Sequence, residues 1–254
     1  MDNARIDIAP VECPVVGDDE AAAVRSRYGR RHDDDQRYSL LNAAVMYANH
    51  ERQRAIAELF RSLRVNVTTA RAVEVGCGTG KNLLEFLRLG FQPERLQGIE
   101  LLDDSAAEAR RVLPNSLRII TEDAAACSAI AAGSQDIVFQ ATVFSSLLDD
   151  AFQEKLAARM RSWLRPGGGV LWYDFIVDNP RNADVRGVPV RRIRQLFPDG
   201  QFRFRRITLA PPIARFVTQV HPALYPLINT CPWLRTHVLA WIQRPEADGR
   251  SDKD

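Results

Sequence analysis

The stretch Val73-Glu74-Val75-Gly76-Cys77-Gly78-Thr79-Gly80-Lys81-Asn82 decides how this chain folds. An apolar run of strand character, residues 72–75, enters three glycines at alternate positions, and a helical pattern opens directly after them. Without a Cβ, glycine reaches backbone conformations closed to other residues and lets a ligand lie close to the chain. The helix that follows turns its free N–H groups toward the same place. A dinucleotide fingerprint, G-x-G-x-x-G, would need glycine at 81, where Lys81 stands. Glu74, two residues before the first glycine, has nothing to offer a pyrophosphate. It does complement a ligand that carries an ammonium group.

Working outward, short apolar runs alternate with helical patterns. Strand-like segments fall at 72–75, 96–99, 117–121, 136–139 and 170–175, with helical periodicity near 80–90, 103–112 and 149–164 and a weaker one near 124–131. Such alternation requires crossover connections and a parallel sheet with helices on both faces. Upstream, residues 20–65 read as helical, with Ser39 as an N-cap. Downstream, an irregular stretch beginning Asn179-Pro180 leads to two longer strands near 202–209 and 237–244, separated by a proline-rich helical insert. The expected architecture is a Rossmann-like, doubly wound, mostly parallel seven-stranded sheet with an antiparallel last strand and an N-terminal helical extension. Residues 1–65 form a tail and helical cap, and 66–254 form the main domain with inserts at about 176–200 and 210–235.

Composition narrows the function classes. The 254 residues hold 34 basic and 32 acidic side chains, a net charge of +2, which argues against a generic polyanion binder. Only three basic residues are lysines, Lys81, Lys155 and Lys253. The acidic start, with Asp2, Asp7, Glu12, Asp18, Asp19 and Glu20, has no secretory h-region, and no apolar run is long enough to span a bilayer. A cytoplasmic protein without a membrane partner is expected. Cysteines 13, 77, 127 and 231 include no CxxC pair, so neither a zinc site nor a redox dithiol is expected.

The glycine stretch, read as Glu74-x-Gly76-x-Gly78-x-Gly80, resembles the first motif of the class I S-adenosylmethionine-dependent methyltransferases. The resemblance runs from about 70 to 175, through Gly98-Ile99-Glu100 ending the second strand, Glu122-Asp123-Ala124 after the third, Gln140 ending the fourth, and Leu164-Arg165-Pro166-Gly167-Gly168 before the fifth. It implies S-adenosylmethionine as cofactor. Glu74 would orient the methionine ammonium, and Gly76, Cys77, Gly78 and Gly80 would pass beneath the cofactor. Glu100 would take the ribose, Leu101 would flank the adenine, Asp123 and Ala124 would meet the adenine edge, and Gln140 would line the methionyl end. A catechol-type metal aspartate is replaced by Gln140, so no metal is implied.

Methyl transfer is an in-line displacement in which positioning dominates and a base is needed only when the acceptor must lose a proton. Asp174, at the end of the fifth strand, and His50, one helical turn beyond Tyr47, are the candidate bases. Tyr38, Tyr47 and Phe144 are candidates for the aromatic wall beside the donor methyl. Between 181 and 206 stand eight arginines and two aspartates, a local +6, and Arg181 is the candidate acceptor contact. The run from Trp172 to Gly187 resembles a bacterial subgroup associated with surface-glycan and secondary-metabolite pathways. The expected activity is O-methylation of a sugar or natural-product intermediate, small or carrier-linked. An RNA or protein methyltransferase using the arginine segment, and a catalytically silent cofactor-binding scaffold, are the alternatives.

Overall fold

The computed structural model describes residues 18–30, 39–178 and 182–246. Seven strands form one sheet: β1 (Ala72–Val75), β2 (Leu96–Glu100), β3 (Arg118–Thr121), β4 (Gln135–Ala141), β5 (Leu164–Phe175), β6 (Gln201–Leu209) and β7 (Arg235–Gln243). Their order is β3-β2-β1-β4-β5-β7-β6. Strands β1 to β5 pair in parallel, and β7 runs antiparallel to both β5 and β6. The chain reverses direction across the sheet between β1 and β4, and at such a switch point the carboxyl ends of the strands open a crevice.

Period-two alternation assigns each strand residue to a face. Val73, Val75, Val138, Val170 and Trp172 share one core with α1 (Asp18–Gly29), α5 (Asp150–Trp163) and α6 (Val190–Leu196). Phe139, Leu171, Tyr173 and Trp241 share the other with α2 (Ala43–Ser62), α3 (Lys81–Arg88) and α4 (Asp103–Val112). A third, small core joins Ala44 and Tyr47 of α2 to Leu209, α7 (Pro211–Val220) and α8 (Leu224–Ile228). Because β6 runs with β1–β5, Leu209 ends at the same sheet edge as the glycine loop, and α7–α8 are docked at that edge.

Three local expectations change. The N-cap of α2 is Asn42, whose side chain accepts from Ala44 N, and Ser39 instead caps a turn through Leu41 N. Residues 124–126 form a turn and no helix follows, since the run is short and Asp123 diverts Ala125 N into its own side-chain hydrogen bond. The Pro-Gly turn before β5 is absorbed into the strand as a bulge, with Gly167 at φ 75° and the pairing slipping between Gln135 and Ile137.

Helix α1 closes over the loop after β4. Glu20 accepts from Arg27 Nη2 at 2.6 Å and from Leu148 N at 2.8 Å, and Arg27 donates to Ser146 O at 2.9 Å.

Candidate functional site

At the carboxyl edge of β1, Gly76, Gly78 and Gly80 take φ of 63°, 52° and 83°. A Cβ on Gly76 would lie 2.6 Å from Val143 Cγ2, and one on Gly80 would lie 2.6 Å from Leu113 Cδ1. On Gly78 it would meet nothing within 4 Å. Packing therefore forbids side chains at the two outer glycines, while the middle one faces open space. Glu100 ties the loop to β2: Oε2 accepts from Gly78 N at 2.7 Å and Oε1 from Leu102 N at 2.9 Å. The Cys77 side chain turns away into the core beneath Gly98, where burial pushes its thiol up, so only its backbone belongs to the loop.

Glu74 is buried, and its Oε1 accepts from Asn82 Nδ2 at 2.6 Å. Its Oε2 has no partner. Burial raises its pKa to about 8, partly offset by the Asn82 hydrogen bond and the Arg52 charge. Asn82 in turn accepts from Arg52 Nη2 at 2.7 Å. Asn82 and Arg52 carry no family motif, and the expectation from sequence passed over both. Asn82 at the start of α3 is the only signal that was available.

Arg52 organises a second group. It lies 5.1 Å above the Tyr173 ring, also bonds Asn49 Oδ1 at 3.0 Å, and has no carboxylate partner among the described residues. Tyr173 OH shares a hydrogen bond with Thr208 Oγ1 at 3.0 Å, and its ring stacks on His237 at 5.0 Å. Thr208 holds φ at 66°, a conformation costly for a β-branched residue. Burial and the Arg52 charge push His237 down to about 4, so its imidazole is neutral near pH 7. Deeper, Tyr225 OH donates to buried Glu51 at 3.1 Å and its ring stacks on Tyr47 at 5.2 Å.

Around the crevice, Leu101, Asp123 and Ala124 are half-buried at the ends of β2 and β3, with Asp123 Oδ1 accepting from Ala125 N at 2.9 Å. Gln140 is fully buried; its Oε1 accepts from Val143 N at 3.1 Å, and its Nε2 has no partner. Asp174 is also fully buried. It accepts from Ser145 N at 3.1 Å and Phe175 N at 2.9 Å, and burial raises its pKa to about 7.

Phe144 is a correction. It is wholly buried with its ring 4.5 Å from Trp172, because the turn Phe144–Ser146 folds inward and makes it a core residue without access to an acceptor. Tyr47 is packed on Tyr225 in the small third core. His50 is exposed: Tyr47, Glu51 and Ala55 share the inward stripe of α2, and His50 falls outside it. Arg181 and Tyr38 lie outside the described residues. Four of the eight arginines of the segment are engaged internally. Arg186 pairs with Asp150, Arg192 with Glu154, Arg205 with Glu58, and Arg194 sits over Phe202 and Phe204.

The comparisons with known proteins agree with this geometry. Residues 72–168 match the family model described as a methyltransferase domain. No curated protein matches the sequence. Among solved structures, the 1,6-didemethyltoxoflavin-N1-methyltransferase of Burkholderia thailandensis, with bound S-adenosylhomocysteine, has TM-score 0.59 at 17% identity, covering 94% of this chain and 95% of that one. A possible histamine N-methyltransferase of Thermotoga maritima has TM-score 0.58 at 14% identity, covering 87% and 99%. Phosphoethanolamine N-methyltransferase 1 of Haemonchus contortus has TM-score 0.60 at 12% identity, covering 92% of this chain and 51% of that one. At these identities the likeness is one of fold.

The residues fit S-adenosylmethionine on grounds internal to the structure. Glu74 Oε2 is a buried carboxylate oxygen without a partner, as a site for an ammonium group requires. The Gly78 backbone faces free space that a side chain would begin to fill. Glu100 stands at the end of the second strand beside the glycine loop, where a nucleoside-binding sheet presents its acid. Among the described residues no group of three or more His, Cys, Asp or Glu could hold a metal ion.

Proposed function

We propose that this chain transfers a methyl group from S-adenosylmethionine to a small-molecule or carrier-linked acceptor, an oxygen of a sugar or natural-product intermediate, and that Arg52 receives an anionic group of that acceptor. The carrying observation is the state of Arg52. It is half-buried, lacks a carboxylate partner among the described residues, and is held by two asparagines over an aromatic ring. A guanidinium fixed in this way keeps donors free for a phosphate or carboxylate. It stands one side chain, Asn82, away from Glu74.

When bound, S-adenosylmethionine supplies an electrophilic methyl group on a sulfonium. Glu74 orients the amine of its methionine part, Glu100 holds the ribose, Asp123 and Ala124 meet the adenine, and Gln140 lines the methionyl end. Tyr173 and neutral His237 form an apolar, hydrogen-bonding wall that fixes the acceptor, and positioning provides most of the rate. In this reading the described helices before residue 66 act as the cap. Asp174, with both oxygens on backbone N–H groups, positions the Phe144–Ser146 turn beneath the site instead of serving as the base. The acceptor hydroxyl gives up its proton to solvent.

The test is transfer of labelled methyl to a panel of hydroxyl acceptors with and without phosphate or carboxylate groups. Arg52→Ala is expected to lower kcat/KM for anionic acceptors about tenfold or more, with a much smaller loss for neutral ones. Equal losses on both sets refute the anion-binding role. Tight cofactor binding with no transfer to any acceptor refutes the enzymatic reading.

A further inference from the structure

Seven of the ten large apolar side chains that are exposed among the described residues come from two stretches, 39–50 and 211–235. Leu41 precedes α2 and is 98% exposed; Phe216 and Val220 occupy successive turns of the outer face of α7; Leu227 lies on α8; and Trp233, 85% exposed, sits on the short helical turn before β7. The two stretches meet in the third core, where Ala44 and Tyr47 of α2 pack against Ala214 and Val217 of α7, so their outward faces belong to one end of the molecule. A monomer rarely leaves so much large apolar surface in one place without a use for it.

Charge says what kind of partner fits. Residues 39–50 contain no acid, and neither does any residue from Gly200 to Pro245, which includes six arginines. At the chain's average of 32 acids in 254 residues, a stretch of that combined length would hold about seven. Arg206 and Arg215 are exposed with no ion pair among the described residues, and Arg235, beside Trp233, donates only to backbone carbonyls. The first acid of α2 is Glu51, which is buried on Tyr225. Exposed aromatic and aliphatic tips among unpaired arginines, cleared of carboxylates, are the features that seat a protein in the headgroup region of an anionic bilayer. A tryptophan at the tip suits that interface in particular. No helix among the described residues is long and apolar enough to cross a membrane, so the contact is peripheral.

We propose that the α7–α8 end of the molecule, with the start of α2, docks on the surface of an anionic phospholipid bilayer through Leu41, Phe216, Leu227 and Trp233. This departs from the sequence-based expectation, which allowed no membrane partner. The docking face lies at the sheet edge that carries the candidate site. An acceptor with an apolar anchor would reach that site from the bilayer, and only this last step rests on the proposed methyl transfer.

The test uses the full chain with vesicles of phosphatidylglycerol and, in parallel, of phosphatidylcholine. Trp163, Trp172 and Trp241 are buried, so a change in tryptophan emission reports on Trp233. Co-sedimentation with phosphatidylglycerol vesicles and a blue shift of emission are expected. Binding to phosphatidylcholine should be weak, and high salt should reverse the binding to phosphatidylglycerol. Phe216→Ser with Trp233→Ser should weaken partitioning about tenfold or more while leaving S-adenosylmethionine affinity unchanged. Failure to bind either vesicle overturns the proposal. So does a concentration-dependent dimer abolished by the same double variant, since the face would then be a contact between copies. S-adenosylmethionine binding, measured separately, distinguishes failure of the docking surface from failure of the catalytic reading.

Discussion

Glu74→Gln is the sharpest test of the site because one buried carboxyl makes opposite demands on stability and on binding. In the free protein Glu74 is 1% exposed and its pKa is raised from 4.5 to about 8, chiefly by burial. A raised carboxyl contributes fully to stability below its unfolded pKa and loses that contribution as pH rises through its folded pKa. The penalty on the ionised form has a ceiling of about 5 kcal/mol, at about 1.4 kcal/mol for each pH unit. Glutamine keeps the shape and cannot ionise. The free variant should therefore match the wild type near pH 4.5 and become the more stable of the two by pH 8. Denaturant unfolding across that range measures the gap, with an expected size of about 2–4 kcal/mol once relaxation is allowed for.

Binding should go the other way. An ammonium group beside Glu74 Oε2 favours the carboxylate, so association releases the proton that the free protein keeps. Between pH 5 and 7, where an α-amine stays protonated, affinity should rise by up to about tenfold per pH unit. Calorimetry in buffers of different ionisation enthalpy should register close to one proton released per cofactor bound. In Glu74→Gln both the proton release and the pH dependence should vanish and affinity should fall. A variant that binds as tightly as the wild type, with the same pH slope, refutes the assignment of Glu74 to the ammonium.

The glycine loop separates packing from access. Gly80→Ala drives a Cβ into Leu113 at a φ of 83°, so thermal unfolding should show a loss of about 1–3 kcal/mol. Gly78→Arg meets no atom within 4 Å of its Cβ, so its stability cost should be limited to about 1–2 kcal/mol of strain at a φ of 52°, yet it should abolish cofactor binding by calorimetry. Unchanged affinity would refute the loop's role. Asp174→Asn leaves one of two backbone N–H donors facing an amide; a loss of about 1–3 kcal/mol at pH 6 with intact cofactor affinity is expected. Because its folded pKa of about 7 is raised by burial, the deficit should shrink as pH rises to 8. Chemical denaturation at both pH values checks this.

Much of the glycine loop and its surroundings was legible because local sequence encodes it. The strand–glycine–helix transition needs specific φ values at Gly76, Gly78 and Gly80, and only glycine meets them cheaply. Acids at strand ends, Glu74, Glu100 and Asp123, fall at fixed spacings because each strand and crossover has a standard length. Errors concentrated where the outcome depends on contacts distant in sequence. Phe144 reads as a site aromatic by its place after β4, but the following turn folds it onto Trp172. His50 and Glu51 are neighbours in the chain, and only the packing of α2 against α7 and α8 sends one out and the other onto Tyr225.

By itself, the sequence determined the sheet, its crossovers and the glycine loop with its acids, since backbone conformation and hydrophobic period act over a few residues. Tertiary structure alone brought together the residues proposed to receive the acceptor. Arg52, Tyr173, Thr208 and His237 come from α2, β5, β6 and β7, and their charge and protonation follow from shared burial. The arginine-rich segment makes the same point. Its formal +6 is a property of composition, but which arginines remain free was settled by the carboxylates of α2 and α5 that folding brought beside them.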